Sequence, residues 1–191
     1  TQVTVTIGAV DQVGNVNADG IFNVTVPANT GSFSVTVDTV IDTVCEASAN
    51  YTLSGAGTSS TVTGTATITD NDSAPKVATI VGDSVVEGNA NSFAVNLTNT
   101  SSTPTTLTLT LASGTATKGA DFSGTQVTVT IGGVDQVVNV NADGSFNVTV
   151  PANTGSFSVK VDTVNDTVFE ASESYTLSGA GTSSTVTGTA T

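Results

Sequence analysis

The sequence has no histidine, tryptophan or methionine, and it has a single cysteine, Cys45. Without histidine, the chain cannot use histidine-based acid–base catalysis or histidine-ligated zinc. One cysteine cannot form a disulfide within the chain. Only three basic residues are present, all lysines, so clustered cations for nucleic-acid phosphates or anionic lipid surfaces are missing. We therefore expect no enzymatic activity, no nucleic-acid partner and no insertion into a membrane.

Acids and β-forming residues are abundant instead. Sixteen acids give a net charge of -13, and valine and threonine alternate along much of the chain. Such alternation is typical of half-buried β-strands, and no stretch shows a helical period. Acidic chains with few bases suit divalent cations, because calcium prefers oxygen ligands. The composition predicts an all-β fold with a cation as the preferred ligand.

The chain contains a long internal repeat. Residues 1–67 align without a gap with residues 125–191, and the two copies differ only at positions 9, 14, 21, 36, 41, 45, 49 and 50 and their partners. The offset of 124 residues is too long for a solenoid repeat and fits one whole domain of immunoglobulin-like size. We predict tandem Ig-like β-sandwich domains.

A linker signal sets the predicted domain boundary. Residues 65–75 read as an alternating strand that ends in Asp-Asn-Asp and is followed by Pro75, which stops strand pairing. Residues 1–72 are therefore predicted to be the C-terminal part of one sandwich, and residues 73–191 a second, nearly complete sandwich. Strands of the second domain are predicted at 77–81, 92–98, 105–112, 126–131, 136–141, 145–150, 156–161, 174–178 and 185–191.

Two predictions concern how the strands connect and pair. Asp143-Gly144, between the runs 136–141 and 145–150, predicts a hairpin, with Asp19 in the same role in the first copy. Residues 73–124 can pair forwards onto 125–191 or backwards onto 1–72, since both partners have almost the same sequence. The short connection at 121–126 favours forward pairing, in which case the strands missing from residues 1–72 come from a preceding segment or from another molecule. The competition between the two pairings invites strand exchange between chains.

The acids are concentrated where strands end. Asp162, Asp166, Glu170 and Glu173 follow one another at spacings of four, four and three residues between two strand-like runs. Carboxylates held close together repel one another unless a cation neutralises them, and calcium takes six to eight oxygens. The alternative is that these acids are solvated loop charges that keep a sheet edge soluble.

Four short blocks resemble the signature of Calx-beta domains. They are Glu87-Gly88 after a first strand, residues 114–122 (GTATKGADF), residues 166–173 (DTVFEASE) and residues 68–72 (ITDND). The blocks are more similar still to the tandem extender repeats of giant RTX-type bacterial surface adhesins that are exported by type I secretion. The resemblance covers residues 73–191 fully and residues 1–72 as a part-domain.

The resemblance implies calcium binding at one end of each sandwich. The ligands that it implies in the two copies are Asp42, Glu46, Asp70, Asp72, Glu87, Asp121, Asp166, Glu170 and Glu173. Each set is incomplete in this sequence. The second copy stops at Thr191, before its own Asp-Asn-Asp, and the first lacks counterparts of Glu87 and Asp121 and has Ala49 at the place of Glu173.

These observations predict a structural extender of a calcium-binding bacterial adhesin or biofilm-matrix protein, located outside the cell, with neighbouring identical repeats as its partners. Two alternatives stay open. One is an extracellular filament subunit that exchanges strands with other copies of the chain. The other is a surface- or glycan-binding module that uses threonine-rich strand faces such as 105–110.

Overall fold

The computed structural model describes residues 1–56 and 60–191. The described residues form no helix, so none forms a helix long and apolar enough to cross a membrane. The strands are β1 (Gln2–Ile7), β2 (Val10–Asn15), β3 (Ser34–Thr36), β4 (Val44–Cys45), β5 (Ala49–Ala56), β6 (Thr61–Ile68), β7 (Val77–Val81), β8 (Ala90–Leu97), β9 (Thr100–Ser101), β10 (Thr105–Ser113), β11 (Gln126–Ile131), β12 (Val134–Asn139), β13 (Ser145–Val150), β14 (Ser156–Asp162), β15 (Tyr175–Ala180) and β16 (Thr185–Ala190).

The chain forms two compact units, Thr1–Asp42 and Thr43–Thr191. We call them the N-terminal unit and the C-terminal unit. In the N-terminal unit, β1 lies between β2 and β3 in an antiparallel sheet. Its core is small, since only Val3, Val5 and Ile7 of β1 are buried. Alternate residues of β1 therefore face one apolar cluster, as the period of two predicts.

The C-terminal unit contains a β-sandwich. One sheet has the order β12-β11-β14-β8-β7 and the other has the order β13-β10-β15-β16, with all neighbouring strands antiparallel. In every strand of the two sheets except the edge strand β12, buried apolar residues fill the space between the sheets. The largest of them include Phe93, Leu109, Phe146 and Leu177. The prediction of an all-β sandwich fold is confirmed.

Residues 73–124 pair forwards in this structure. Strand β8 pairs with β14, and β10 lies between β13 and β15. The nine strands predicted for residues 73–191 all occur, within two residues at each end. Residues 43–72 cluster with the sandwich, so the predicted boundary at Asp72 falls inside the C-terminal unit and stays a prediction.

The predicted hairpin at Asp143-Gly144 is wrong. Strands β12 and β13 belong to different sheets, so the turn between them carries the chain across the sandwich. Gly144 has a φ of +85°, and a Cβ there would lie 2.2 Å from the Leu111 carbonyl oxygen, which only glycine tolerates. Asp143 accepts hydrogen bonds from the Ser145 amide and hydroxyl. A tight turn identifies a change of direction, but it does not identify which sheet receives the next strand.

The remaining strands of the C-terminal unit are short or edge elements. Strands β5 and β6 form a two-stranded antiparallel hairpin, and β4 pairs in parallel with β9. Cys45, the single cysteine, lies in β4 and is half-buried. Its carbonyl oxygen accepts hydrogen bonds from the Ser101 hydroxyl and the Ser102 amide.

Candidate metal site at one end of the sandwich

Three connections meet at one end of the sandwich and surround a depression of about 560 Å³. The β7–β8 connection contributes Glu87, the β10–β11 connection contributes Asp121, and the β14–β15 connection contributes the remaining acids. Five carboxylates line this depression: Glu87, Asp121, Asp166, Glu170 and Glu173. Residues that are up to 86 positions apart in sequence (87 to 173) are thus brought to one place by the sheet order.

Hydrogen bonds of the Thr163 hydroxyl and of backbone groups link the connections to one another. The Gly88 amide donates to the Thr163 hydroxyl at 2.7 Å, and that hydroxyl donates to the Asn89 carbonyl oxygen at 2.7 Å. The Val164 amide donates to the Asp121 carbonyl oxygen at 2.9 Å. Thr163 therefore ties the Glu87 connection to the one that carries Asp166, and Val164 ties the latter to Asp121.

Three of the carboxylates approach closely. Asp121, Glu170 and Glu173 each offer an oxygen within 4.8 Å of the others, the one such group found in residues 1–56 and 60–191. Oε2 of Glu173 is buried and has no hydrogen-bond partner among the described residues. A buried carboxylate oxygen without a donor is costly unless a cation or a proton lies beside it.

The electrostatics of the cluster favour neutralisation. The pKa of Glu173 is raised, first by a hydrogen bond that its carboxyl shares with Asp121, then by partial desolvation and by the charges of Asp121 and Glu170. Desolvation, followed by the charges of Asp121, Asp166 and Glu87, also raises the pKa of Glu170. Like charges in one depression disfavour full ionisation, and a bound cation would reverse that effect.

A buried aromatic and amide network forms the floor of the depression. The Tyr175 ring stacks on Phe122, with centroids 4.3 Å apart, and meets Phe93 edge-on at 5.7 Å. The Tyr175 hydroxyl donates to Oδ1 of Asn91 at 2.9 Å, and Nδ2 of Asn91 donates to Oδ1 of Asp83 at 3.0 Å. Burial, followed by the charge of Asp83, raises the pKa of Tyr175 well above its usual range, so the hydroxyl stays a donor.

The structure brings together the five predicted ligands of the second copy. Glu87, Asp121, Asp166, Glu170 and Glu173 share the depression described above. In the first copy, the Asp70 carboxylate accepts a hydrogen bond from the Glu46 amide at 2.9 Å. Asp72, two residues further along the chain, is half-buried. Asp42 belongs to the N-terminal unit. For Asp42, Glu46, Asp70 and Asp72, a role as ligands stays a prediction.

Sequence reasoning missed the network under the acids. Asn91 and Tyr175 lie in strands whose alternation indicates burial, but nothing in the sequence pairs them. Asp83 follows Gly82 directly after β7, and its position at a strand end was the available signal.

The threonine-rich face that could serve surface binding is outward in the structure. Thr106 and Thr108 of β10 are exposed. Their hydroxyls engage the neighbouring strand β13, at 3.4 Å from the Thr149 hydroxyl and 2.9 Å from Oδ1 of Asn147. Surface or glycan binding by this face stays a prediction.

Comparison of the chain with protein-family models and with curated proteins finds no match. The similarity to Calx-beta domains and to adhesin extender repeats therefore stays an expectation from the four sequence blocks.

Proposed function

We propose that this chain is a non-catalytic, calcium-binding structural repeat. The observation that carries the proposal is the convergence of Asp121, Glu170 and Glu173 within 4.8 Å around a buried carboxylate oxygen that has no hydrogen-bond partner in the described chain. Glu87 and Asp166 border the same depression and supply further oxygens. Calcium is bound by hard oxygen ligands, and this site offers oxygen ligands without histidine nitrogen or cysteine sulfur.

The arrangement favours calcium over magnesium. The carboxylates come from three separate connections and line one depression. Calcium accepts six to eight oxygens in irregular geometry, whereas magnesium requires a near-ideal octahedron and retains water. In our proposal, the carboxylates supply most of the ligands, and backbone carbonyl groups or water complete the set.

Calcium bound at this site would stabilise the folded sandwich and would not take part in a reaction. It would neutralise the repulsion among five acids and hold three connections together at one end of the sandwich. Extracellular modules bind calcium with dissociation constants of about 10⁻⁴ to 10⁻³ M, which suits a protein outside the cell. Together with near-identical repeats, this supports a role as an extender in a bacterial surface adhesin or biofilm matrix, where length and stiffness matter more than a unique binding face.

Thermal unfolding of the full chain tests the proposal. Calcium at a concentration about 100-fold above its dissociation constant should raise the Tm by about 5 to 10 °C relative to chelator. Glu173→Gln and Asp121→Asn should abolish most of that rise. Asp143→Asn removes an acid that does not line the depression and should leave the rise in Tm unchanged. An equal rise in all variants, or no rise in the parent chain, would refute a calcium site at these residues.

A further inference from the structure

The two copies of the repeat contain the same Asp-Gly turn with one substitution. Residues 17–21 and 141–145 differ only at the last position, which is Ile21 in the first copy and Ser145 in the second. In each turn, the amide of the first residue donates to the carbonyl oxygen of the last, at 3.0 Å and 2.9 Å. The glycines have similar φ values, +81° for Gly20 and +85° for Gly144. The two turns therefore share a backbone conformation but differ in one side chain.

In the second copy, Ser145 binds the aspartate of the turn. Its amide and its hydroxyl both donate to Oδ1 of Asp143, at 3.0 Å and 2.7 Å. These hydrogen bonds, the one from the hydroxyl first, lower the pKa of Asp143. The same hydroxyl accepts a hydrogen bond from Nδ2 of Asn141 at 3.0 Å. The Asp143 carboxylate is thus kept ionised and is directed towards residue 145.

In the first copy, the aspartate of the turn lacks these donors. Ile21 has no hydroxyl, and its amide donates to Oδ1 of Asn17 at 2.8 Å instead. The Asp19 amide donates to the same oxygen at 3.0 Å. Within residues 1–56 and 60–191, no group donates a hydrogen bond to the Asp19 carboxyl group, and Asp19 is exposed. This carboxyl group is therefore not held by a neighbouring residue.

We propose that Asp19-Gly20 is a site of spontaneous isoaspartate formation and that Ser145 protects Asp143-Gly144 from the same reaction. The Gly20 amide nitrogen attacks Cγ of the protonated Asp19 carboxyl group. A bond forms between that nitrogen and Cγ, a five-membered succinimide closes, and the amide proton leaves with the carboxyl hydroxyl as water. Glycine favours the attack because it has no side chain to hinder the approach.

Hydrolysis of the ring completes the modification. Addition of water at the main-chain carbonyl carbon of Asp19 breaks the bond from that carbon to nitrogen and gives isoaspartate. Addition at Cγ restores aspartate. One water is lost and one is gained, so the mass of the chain is unchanged, but isoaspartate places an extra carbon in the backbone of the turn.

The protonation state and the position of the carboxyl group explain the expected difference between the copies. An ionised carboxylate is a poor electrophile, because the protonated group can expel water and the ionised group cannot. Hydrogen bonds from Ser145 favour the ionised form of Asp143. They also hold Oδ1 of Asp143, so closure of the ring has to break them. Neither restraint acts on Asp19.

This reaction is independent of the proposed calcium site. Neither Asp19 nor Asp143 lines the acidic depression. Calcium and chelator should therefore give the same rate of isoaspartate formation at Asp19. The two proposals can consequently fail separately.

Peptide mapping of the full chain, after incubation at neutral pH, tests the proposal. Electron-transfer mass spectrometry distinguishes isoaspartate from aspartate, and fragments that include Gly14 or Val138 identify the copy. Isoaspartate should accumulate about tenfold faster at Asp19 than at Asp143, because hydrogen bonds to a carboxylate reduce its protonated fraction by about that factor.

Variants within one copy separate the effect of the hydroxyl from that of packing. The separation is needed because the Leu111 amide also donates to the Gly144 carbonyl oxygen, at 2.9 Å. Ile21→Ser adds the hydroxyl and should slow isoaspartate formation at Asp19 about fivefold. Ile21→Ala is the matched control, since it shortens the same side chain without adding a donor, and it should not slow the reaction. Ile21 is 60% exposed, so both variants should fold.

The reciprocal variant is Ser145→Ala, which removes the hydroxyl from the second turn and should accelerate isoaspartate formation at Asp143. The proposal is overturned if Asp19 forms isoaspartate no faster than Asp143. It is also overturned if Ile21→Ser and Ile21→Ala react at the same rate, or if Ser145→Ala leaves Asp143 as stable as in the parent chain.

Discussion

The residue on which the candidate site depends most is Glu173. Its carboxyl faces Asp121 and Glu170, and one of its oxygens is buried without a donor. Like charges this close disfavour the ionised form of Glu173, and a proton or a cation beside them relieves the repulsion. Glu173 is also one of the few positions at which the copies differ, with Ala49 as its counterpart. The two copies therefore differ in charge at the place where neutralisation matters most.

Acidification should stabilise the calcium-free protein. The pKa values of Glu170 and Glu173 are raised above the ordinary value of about 4.3. Between the ordinary and the raised values, the folded state binds more protons than the unfolded state, so the free energy of unfolding rises as the pH falls. Urea denaturation at pH 7 and pH 4.5 measures this. With saturating calcium the sign should reverse, because protons displace the ion.

Two variants check the assignment of this pH effect. Glu173→Gln should shrink the gain in stability in calcium-free buffer. Asp143→Asn should leave it unchanged, because hydrogen bonds from Ser145 lower the pKa of Asp143 and move its titration below this range. An unchanged gain in Glu173→Gln would contradict the assignment to this cluster.

Tyr175→Phe should destabilise the C-terminal unit by about 1 to 3 kcal/mol, because it leaves the buried Oδ1 of Asn91 without its donor. Ring packing against Phe122 and Phe93 is retained, so the loss reports the hydrogen bond. Urea denaturation measures the change. The matched control is Tyr51→Phe at the half-buried counterpart, where we expect a smaller loss. Equal losses at both positions would contradict the network described for Asn91.

At the scale of elements, one turn differs between the copies in a way that can be measured. Gly132 and Gly133 join β11 to β12 and both have positive φ, the signature of a type I′ turn. In the first copy the turn is Gly8-Ala9, and only Gly8 has positive φ, as in a type II′ turn. The second turn position therefore tolerates a side chain by changing turn type, whereas the first does not.

Substitution at the two glycines should consequently be unequal. Gly132→Ala should cost about 1 to 2 kcal/mol, because alanine is strained at positive φ. Gly133→Ala should cost clearly less, because the loop can adopt the geometry of Gly8-Ala9. Both variants lie in the same unit, so their urea midpoints are directly comparable. The reverse order of costs would contradict this account.

Strand positions were predictable from sequence, but strand partners were not. Alternation of apolar residues located β7, β8 and β10 to β16 to within two residues at each end, whereas the two-residue strand β9 was not predicted. The same alternation in residues 22–26 produced no strand, since pairing depends on a segment elsewhere in the chain. The five acids of the depression were anticipated from the resemblance, whereas the link from Tyr175 through Asn91 to Asp83 depends on distances that only the folded sheets fix.

At the scale of the whole molecule, the two units have very unequal cores. The N-terminal unit buries three apolar residues of β1, and the C-terminal unit buries large side chains from both sheets of its sandwich. Stability increases with the apolar area that is removed from water. The N-terminal unit should therefore be much the less stable.

Hydrogen exchange of two identical strands measures the difference. Strands β1 and β11 have the same sequence, and their apolar residues are buried in both. Exchange should nevertheless be faster in β1, because amide protection reflects the stability of the unit that contains the strand. Fragments that extend to Ala9 or Gly133 separate the two copies. Equal protection of β1 and β11 would contradict the expectation that the N-terminal unit is the less stable one.

The forward pairing of residues 77–113 also has a consequence for biosynthesis. A polypeptide is made from its N terminus, so residues 77–113 emerge after residues 1–72 and before residues 125–191. Their final partners, β13, β14 and β15, follow later. A nascent chain meets the two copies of the repeat in sequence, whereas a chain diluted from denaturant meets both at once. The order of synthesis and the structure thus favour different first partners for the same strands.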